Sequence, residues 1–190
     1  MKKTLVLVAL SLVLAARAQA TPITYTANLS GLNENPANAS PATGFATVIF
    51  DQAAHTLFVD VTFAGLTGTT TASHIHCCAV PPTNAGVATV TPTFTGFPLG
   101  VTSGAYTHTF DTSLASAWNP AFITANGGTP LSAEAVLAAG LANGQAYLNI
   151  HTNVFPGGEI RGVLVTPEPA TLTLLGLGLG AAALRRRRAR

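Results

Sequence analysis

Three short stretches of this 190-residue chain carry the side chains able to do chemistry: Ser73-His74-Ile75-His76-Cys77-Cys78, His151 and Glu159. Side chains alternate along a strand, so His74 and His76 point to the same side and both rings can reach one ion, while Ile75 turns to the core. A third imidazole comes from His151, at the end of a stretch in which Ala146, Leu148 and Ile150 take one face and Tyr147, Asn149 and His151 the other. If these strands are neighbours, three nitrogens converge. Glu159, just beyond the turn Phe155-Pro156-Gly157-Gly158, is then a fourth ligand or an acceptor behind one. Such ligands suit zinc or copper. The same His-x-His pair also serves to hydrogen-bond loop carbonyls or to face water. His55 and His108 stand alone in strand-like stretches and read as ordinary surface positions.

Cys77 and Cys78 are the two cysteines, and they are adjacent. In an exported chain the sole intrachain disulfide open to them is the vicinal one, which closes a small ring and forces a tight local turn. Free thiols would instead add soft ligands and tilt the choice toward copper, and a disulfide to another chain is the third option.

Other chemistries find little support. No serine sits in a Gly-x-Ser-x-Gly setting, and Gly157-Gly158 does not lead into a helix, so it is a hairpin feature rather than a phosphate loop. Glu159 and Arg161, two apart on a strand, share a face and most simply form an ion pair or hold nearby loops. Carbohydrate recognition would need exposed aromatics, and Trp118, Tyr106 and Tyr147 are few and scattered. The expectation is a non-catalytic protein.

The ends set the compartment. Lys2 and Lys3 precede an apolar stretch from Leu5 to Ala16, and Ala18-Gln19-Ala20 offers the small-x-small site that signal peptidase needs, so residues 1–20 read as a signal peptide. At the other end Pro167-Glu168-Pro169 is followed by an apolar run from Ala170 to Leu184 and then by Arg185 to Arg188 and Arg190. That run makes only about 22 Å of helix against roughly 30 Å of hydrocarbon, which suits transient insertion and cleavage better than lifelong anchoring. Arginines that cannot follow the apolar run across leave everything before Pro167 outside.

Setting these ends aside changes the charge. Eight of the nine basic residues lie in them, leaving Arg161 alone against Glu34, Asp51, Asp60, Asp111, Glu134 and Glu159 in a span from 21 to 166. A domain with five net negative charges and no lysine is no partner for nucleic acid, which needs a basic face. The sign tolerates calcium or neutral sugars, and low charge permits close packing of copies beside one another on a surface, or beside neighbouring surface proteins.

The elements that must position the histidines are mostly strands. Alternation marks strands over 23–29, 43–50, 55–64, 72–79, 87–90, 104–111, 145–152 and 159–165. Thr129 as a cap, Pro130 at the first helical position and an alanine-rich run over 131–141 mark one helix. Seven or eight strands with one helical insertion favour an all-β, two-layer antiparallel sandwich. Terminal apolar helices would flank it.

Leu29-Ser30-Gly31, the segment from Thr71 to His76, and Ala146 to Thr152 followed by Phe155 to Gly162 together resemble the CHRD domain of chordin and of many microbial exported proteins. The resemblance spans about 24–165. It implies an immunoglobulin-type β-barrel or sandwich distantly like copper-zinc superoxide dismutase, and it implies that His74, His76, His151, Glu159 and Arg161 form one site. It does not carry dismutase chemistry, since the chain has five histidines and no second cluster. The tail over 167–190 resembles the PEP-CTERM sorting signal in motif, apolar stretch and basic end alike. That implies processing by an exosortase-type enzyme after export through the inner membrane of a Gram-negative bacterium. The expected destination is the cell surface or extracellular matrix, with association to exopolysaccharide or adhesion as the work done there.

Overall fold

The computed structural model describes residues 21–167. The expected signal peptide with Ala18 and Ala20, and the tail from Glu168 onward with Pro169, lie outside the described residues, as do the apolar helices expected there. Pro167 is described and exposed. No helix among the described residues is long and apolar enough to cross a membrane.

Seven strands form: β1 (Ile23–Ser30), β2 (Thr43–Asp51), β3 (Thr56–Ala64), β4 (Thr70–Cys77), β5 (Gly104–Asp111), β6 (Ala146–Thr152) and β7 (Ile160–Val163). All pair antiparallel in one sheet of order β4-β6-β7-β1-β2-β3-β5, rather than the two separate layers expected of a sandwich. The sheet curls because both of its edges serve one core. Segment 78–103 leaves β4, runs back along that edge through bonds such as Ala88 N–H to Ile75 O and Phe94 N–H to Ser73 O, and then enters β5 at the opposite edge. Its Phe94 and Phe97 pack on Tyr106 of β5, with ring centroids 5.7 and 5.4 Å away. A covered edge presents no unpaired ladder to other chains.

Alternation predicts the inward faces well. Leu57, Val59, Val61 and Phe63 of β3 are buried, as are Tyr25, Ala27 and Leu29 of β1. The expected strand over 87–90 does not form, because its backbone makes only isolated bridges, Val87 to His76 and Thr89 to Trp118. Two helices stand in place of the expected one: α1 (Pro120–Ala125) and α2 (Pro130–Ala142). In α2 Thr129 and Ser132 cap each other reciprocally, with Pro130 in the first turn. The first helix escaped notice because six residues show too little periodicity; its signal is Asn119, whose side chain accepts from Ala121 N–H.

Trp118, Tyr106 and Tyr147 are all buried, which removes them as a sugar-stacking platform. His55 is no isolated surface residue either. It occupies the β2–β3 turn at φ 55°, and its Nδ1 lies 2.9 Å from buried Glu134 of α2, which also accepts from Thr112 Oγ1. That chain ties the hairpin to the helix. His108 is half-buried against Phe110, with ring centroids 4.5 Å apart.

Candidate metal centre

Strands β4, β6 and β7 are consecutive in the sheet, and their register sets a polar patch on one face. His74 pairs with Asn149 and Asn149 with Arg161; His76 pairs with Tyr147 and Tyr147 with Val163; Ala72 pairs with His151. The opposite face, with Ile75, Leu148, Ile150 and Ile160, is wholly buried in the core. Pleat and register alone therefore bring the three histidines together. Their ring centroids are 5.8 Å (His74–His76), 5.3 Å (His74–His151) and 5.7 Å (His76–His151) apart. Each offers one ring nitrogen within 4.8 Å of those of the other two.

Each ring is pinned through its remaining nitrogen. His74 Nε2 lies 2.6 Å from the Pro92 carbonyl, His76 Nδ1 2.9 Å from Ala85 O, and His151 Nδ1 3.0 Å from Pro156 O. A carbonyl only accepts, so each of these nitrogens carries the hydrogen. That fixes the tautomers and leaves lone pairs on His74 Nδ1, His76 Nε2 and His151 Nε2. These three atoms are buried and have no hydrogen-bond partner. Backbone carbonyls behind neutral imidazoles are the usual outer partners of metal-binding histidines.

The electrostatics keep the rings neutral. Burial, opposed by the bond to Pro92 and helped by the neighbouring His151, pushes His74 down to about 4. Burial likewise takes His76 to about 4, with His151, His74 and Arg161 all adding to the shift. His151 is also lowered, again chiefly by burial. A neutral imidazole is the form that binds metal.

Glu159 does not join them. Pairing in β7 begins only at Ile160, so Glu159 sits in the turn, where its carboxylate accepts from Thr67 N–H, Gly68 N–H, Ser40 Oγ and Thr152 Oγ1. Burial pushes its pKa up, but those four donors outweigh it and hold the carboxyl below its ordinary value. With both oxygens engaged it is a loop anchor and not a ligand. Of the two expectations for Glu159 and Arg161, the ion pair does not form, since Arg161 faces Glu34, Nε to Oε2 3.8 Å, and the holding of nearby loops does. The guanidinium also donates to Asn33 O, Asn84 Oδ1 and Pro82 O, which ties two loops over the patch.

The cysteines adopt the vicinal option: Cys77 and Cys78 are bonded to each other. Cys77 is odd-numbered like Ile75 and faces the core, so neither sulfur joins the imidazoles. Both sulfurs press against Gly140 of α2, where a Cβ would collide with them.

Sequence reasoning missed Asn149 and Glu34. Asn149 is 2 % exposed, opposite His74 and two residues from His151 on the same face, and its Oδ1 has no partner. Glu34 is also buried, with Oε1 unpartnered, and desolvation raises it to about 7 against the lowering influence of Arg161. Asn149 was visible only as a polar residue on the histidine face of its strand, and its burial came from the loops over that face. Glu34, in a loop far away in sequence, left no signal.

No curated protein and no solved structure matches the chain. Residues 165–188 match the PEP-CTERM protein-sorting motif. Residues 25–164, most of the chain and every strand that builds the histidine patch, match the CHRD domain, so the protein belongs to the CHRD domain family.

Proposed function

We propose that this protein is an exported, exosortase-sorted domain that holds a zinc or copper(II) ion between His74, His76 and His151 and acts without catalysis at the cell surface. The PEP-CTERM motif itself implies export, exosortase-type processing and sorting to the cell envelope or surface. A Gram-negative setting, release of the leader by signal peptidase, and transient insertion of the tail belong to the proposal. The observation that supports the metal is the convergence of three buried, unpartnered ring nitrogens whose rings are each pinned by a carbonyl. Left empty, such lone pairs cost on the order of 1–3 kcal/mol apiece. Nitrogen donors without thiolate favour zinc or copper(II) over copper(I).

The test is metal analysis of the full-length chain purified in detergent, beside His74→Ala. One equivalent of zinc or copper in the first and little in the second is expected. Metal-free protein that shows no thermal shift with either ion would sink the reading.

A second reading, association with exopolysaccharide in adhesion, draws on a cavity of about 470 Å³ lined by Asn28, Asn33, Glu34, Thr83 and Tyr147 among others. Its exposed Asn28 amide and Thr83 hydroxyl suit neutral sugar hydroxyls. Retention of the protein on immobilised exopolysaccharide, lost on changing Asn28 and Asn33 to leucine, is the expected result; no retention would discard it.

A further inference from the structure

The histidines supply three donors, and a closed tetrahedral site needs four. We propose that the side-chain oxygen of Asn149 is the fourth ligand, so that the ion is held by three imidazoles and one amide with no solvent position. This rests on the metal reading above.

The placement is set by the ladder. Asn149 is the residue directly across from His74, and along β6 it is the next residue before His151 on the same face. Its amide oxygen belongs to the same set of buried, unpartnered atoms as the three ring nitrogens. Among the described residues that set has five members, Glu34 Oε1 being the fifth. An amide that is 2 % exposed and accepts nothing is an unmet acceptor in the patch that holds the three unmet nitrogens.

The amide end lies beside the Gly158 turn. Asn149 Nδ2, Asn149 Oδ1 and Glu34 Oε1 lie 2.5, 2.7 and 2.8 Å from one point, the place a Cβ would take at Gly158. Gly158 has φ 133°, so glycine is the residue that both fits the backbone and leaves this space. Glu34 Oε1 is an acceptor beside the amide, held at the other carboxyl oxygen by Arg161. Neither Glu34 Oε1 nor Asn149 Oδ1 has a hydrogen-bond partner, so no bond holds the amide oxygen away from the imidazoles. Four protein donors also agree with the burial of all three ring nitrogens.

Cobalt(II) is the probe, because its visible absorption reports coordination number and ligand type. The full-length wild-type protein in detergent should bind one cobalt with the intense bands of a four-coordinate site, and added azide should leave them unchanged. Asn149→Leu should bind about 10- to 100-fold more weakly, with weaker bands that now respond to azide. Asn149→Asp, which keeps shape and replaces the amide by a stronger donor, should bind more tightly with shifted bands. A wild-type spectrum that responds to azide, or Asn149→Asp and Asn149→Leu spectra identical to wild type, would overturn the fourth-ligand assignment while leaving the three-histidine reading intact. Wild-type protein that takes up no cobalt, zinc or copper would overturn both.

Discussion

The imidazole of His76 lies flat against the phenol ring of Tyr147, with centroids 4.9 Å apart and planes 4° from parallel. The two side chains also share a partner. Ala85 receives the His76 Nδ1 hydrogen at its carbonyl and gives its N–H to the Tyr147 hydroxyl at 3.1 Å, while Arg161 lies 4.6 Å over the phenol ring. The ring that fixes His76 thus also links it to the guanidinium that clamps the loops. Tyr147→Phe should keep the stack and lose only about 1 kcal/mol with the hydroxyl bond. Tyr147→Leu should loosen the ring and weaken zinc about 10-fold, read by competition with a chromogenic chelator. Equal affinities in the two variants would show that the stack does not orient His76.

The metal-free protein should lose stability as pH falls. His74 and His76 sit near 4 in the folded state against 6.5 for an ordinary histidine, so the unfolded chain takes up protons first. Their contribution is intact above about 6.5 and is lost as pH falls toward 4, by several kcal/mol for the pair as an order of magnitude. Urea titrations at pH 7.5 and 5 check this. A His74→Phe, His76→Phe double variant should flatten the slope, and an unchanged slope would contradict the shift.

Glu34 has the opposite sign. Its folded value near 7 lies above the ordinary carboxyl value of 4.5, so stability it confers below about 4.5 is lost as pH rises through 7. Glu34→Gln should match wild type near pH 4.5 and exceed it by about 1–3 kcal/mol at pH 8. Denaturation of both proteins at the two pH values decides it, and a variant weaker at pH 8 would mean that the Arg161 contact outweighs burial.

Glu159 anchors three segments at once. Glu159→Ala leaves four donors around it unanswered and should cost about 3–5 kcal/mol, lowering Tm sharply. Should zinc affinity fall while Tm stays level, Glu159 would act on the metal after all.

Gly140 tests the packing of α2 on the disulfide. Alanine is the better helix former by about 1 kcal/mol, yet a Cβ there meets both sulfurs. Gly140→Ala should therefore destabilise the oxidised protein by about 1–3 kcal/mol. Adding Cys77→Ala and Cys78→Ala should shrink that penalty, as a double-mutant cycle would measure.

Much of this protein follows from its chain order. Alternation along β3 and β6 is a local property, since neighbouring side chains on a strand must take opposite faces, and so it identified the buried Leu57, Val59, Leu148 and Ile150 as well as the shared side of His74 and His76. The caps of α2 are equally local, and adjacency alone made the Cys77–Cys78 bond available. Charge accounting followed from recognising the two ends. What needed the tertiary structure was every relationship between distant segments. Pairing of β4 with β6 brought His151 to His74 and His76, and curling of one sheet around segment 78–103 replaced two separate layers. The start of β7 pairing at Ile160 sent Glu159 to the loops, while the 31–36 loop carried Glu34 to Arg161 and Asn149. Sequence patterns set which way a side chain points along its own strand; which strand lies beside it depends on how the whole core closes, and no local signal encodes that.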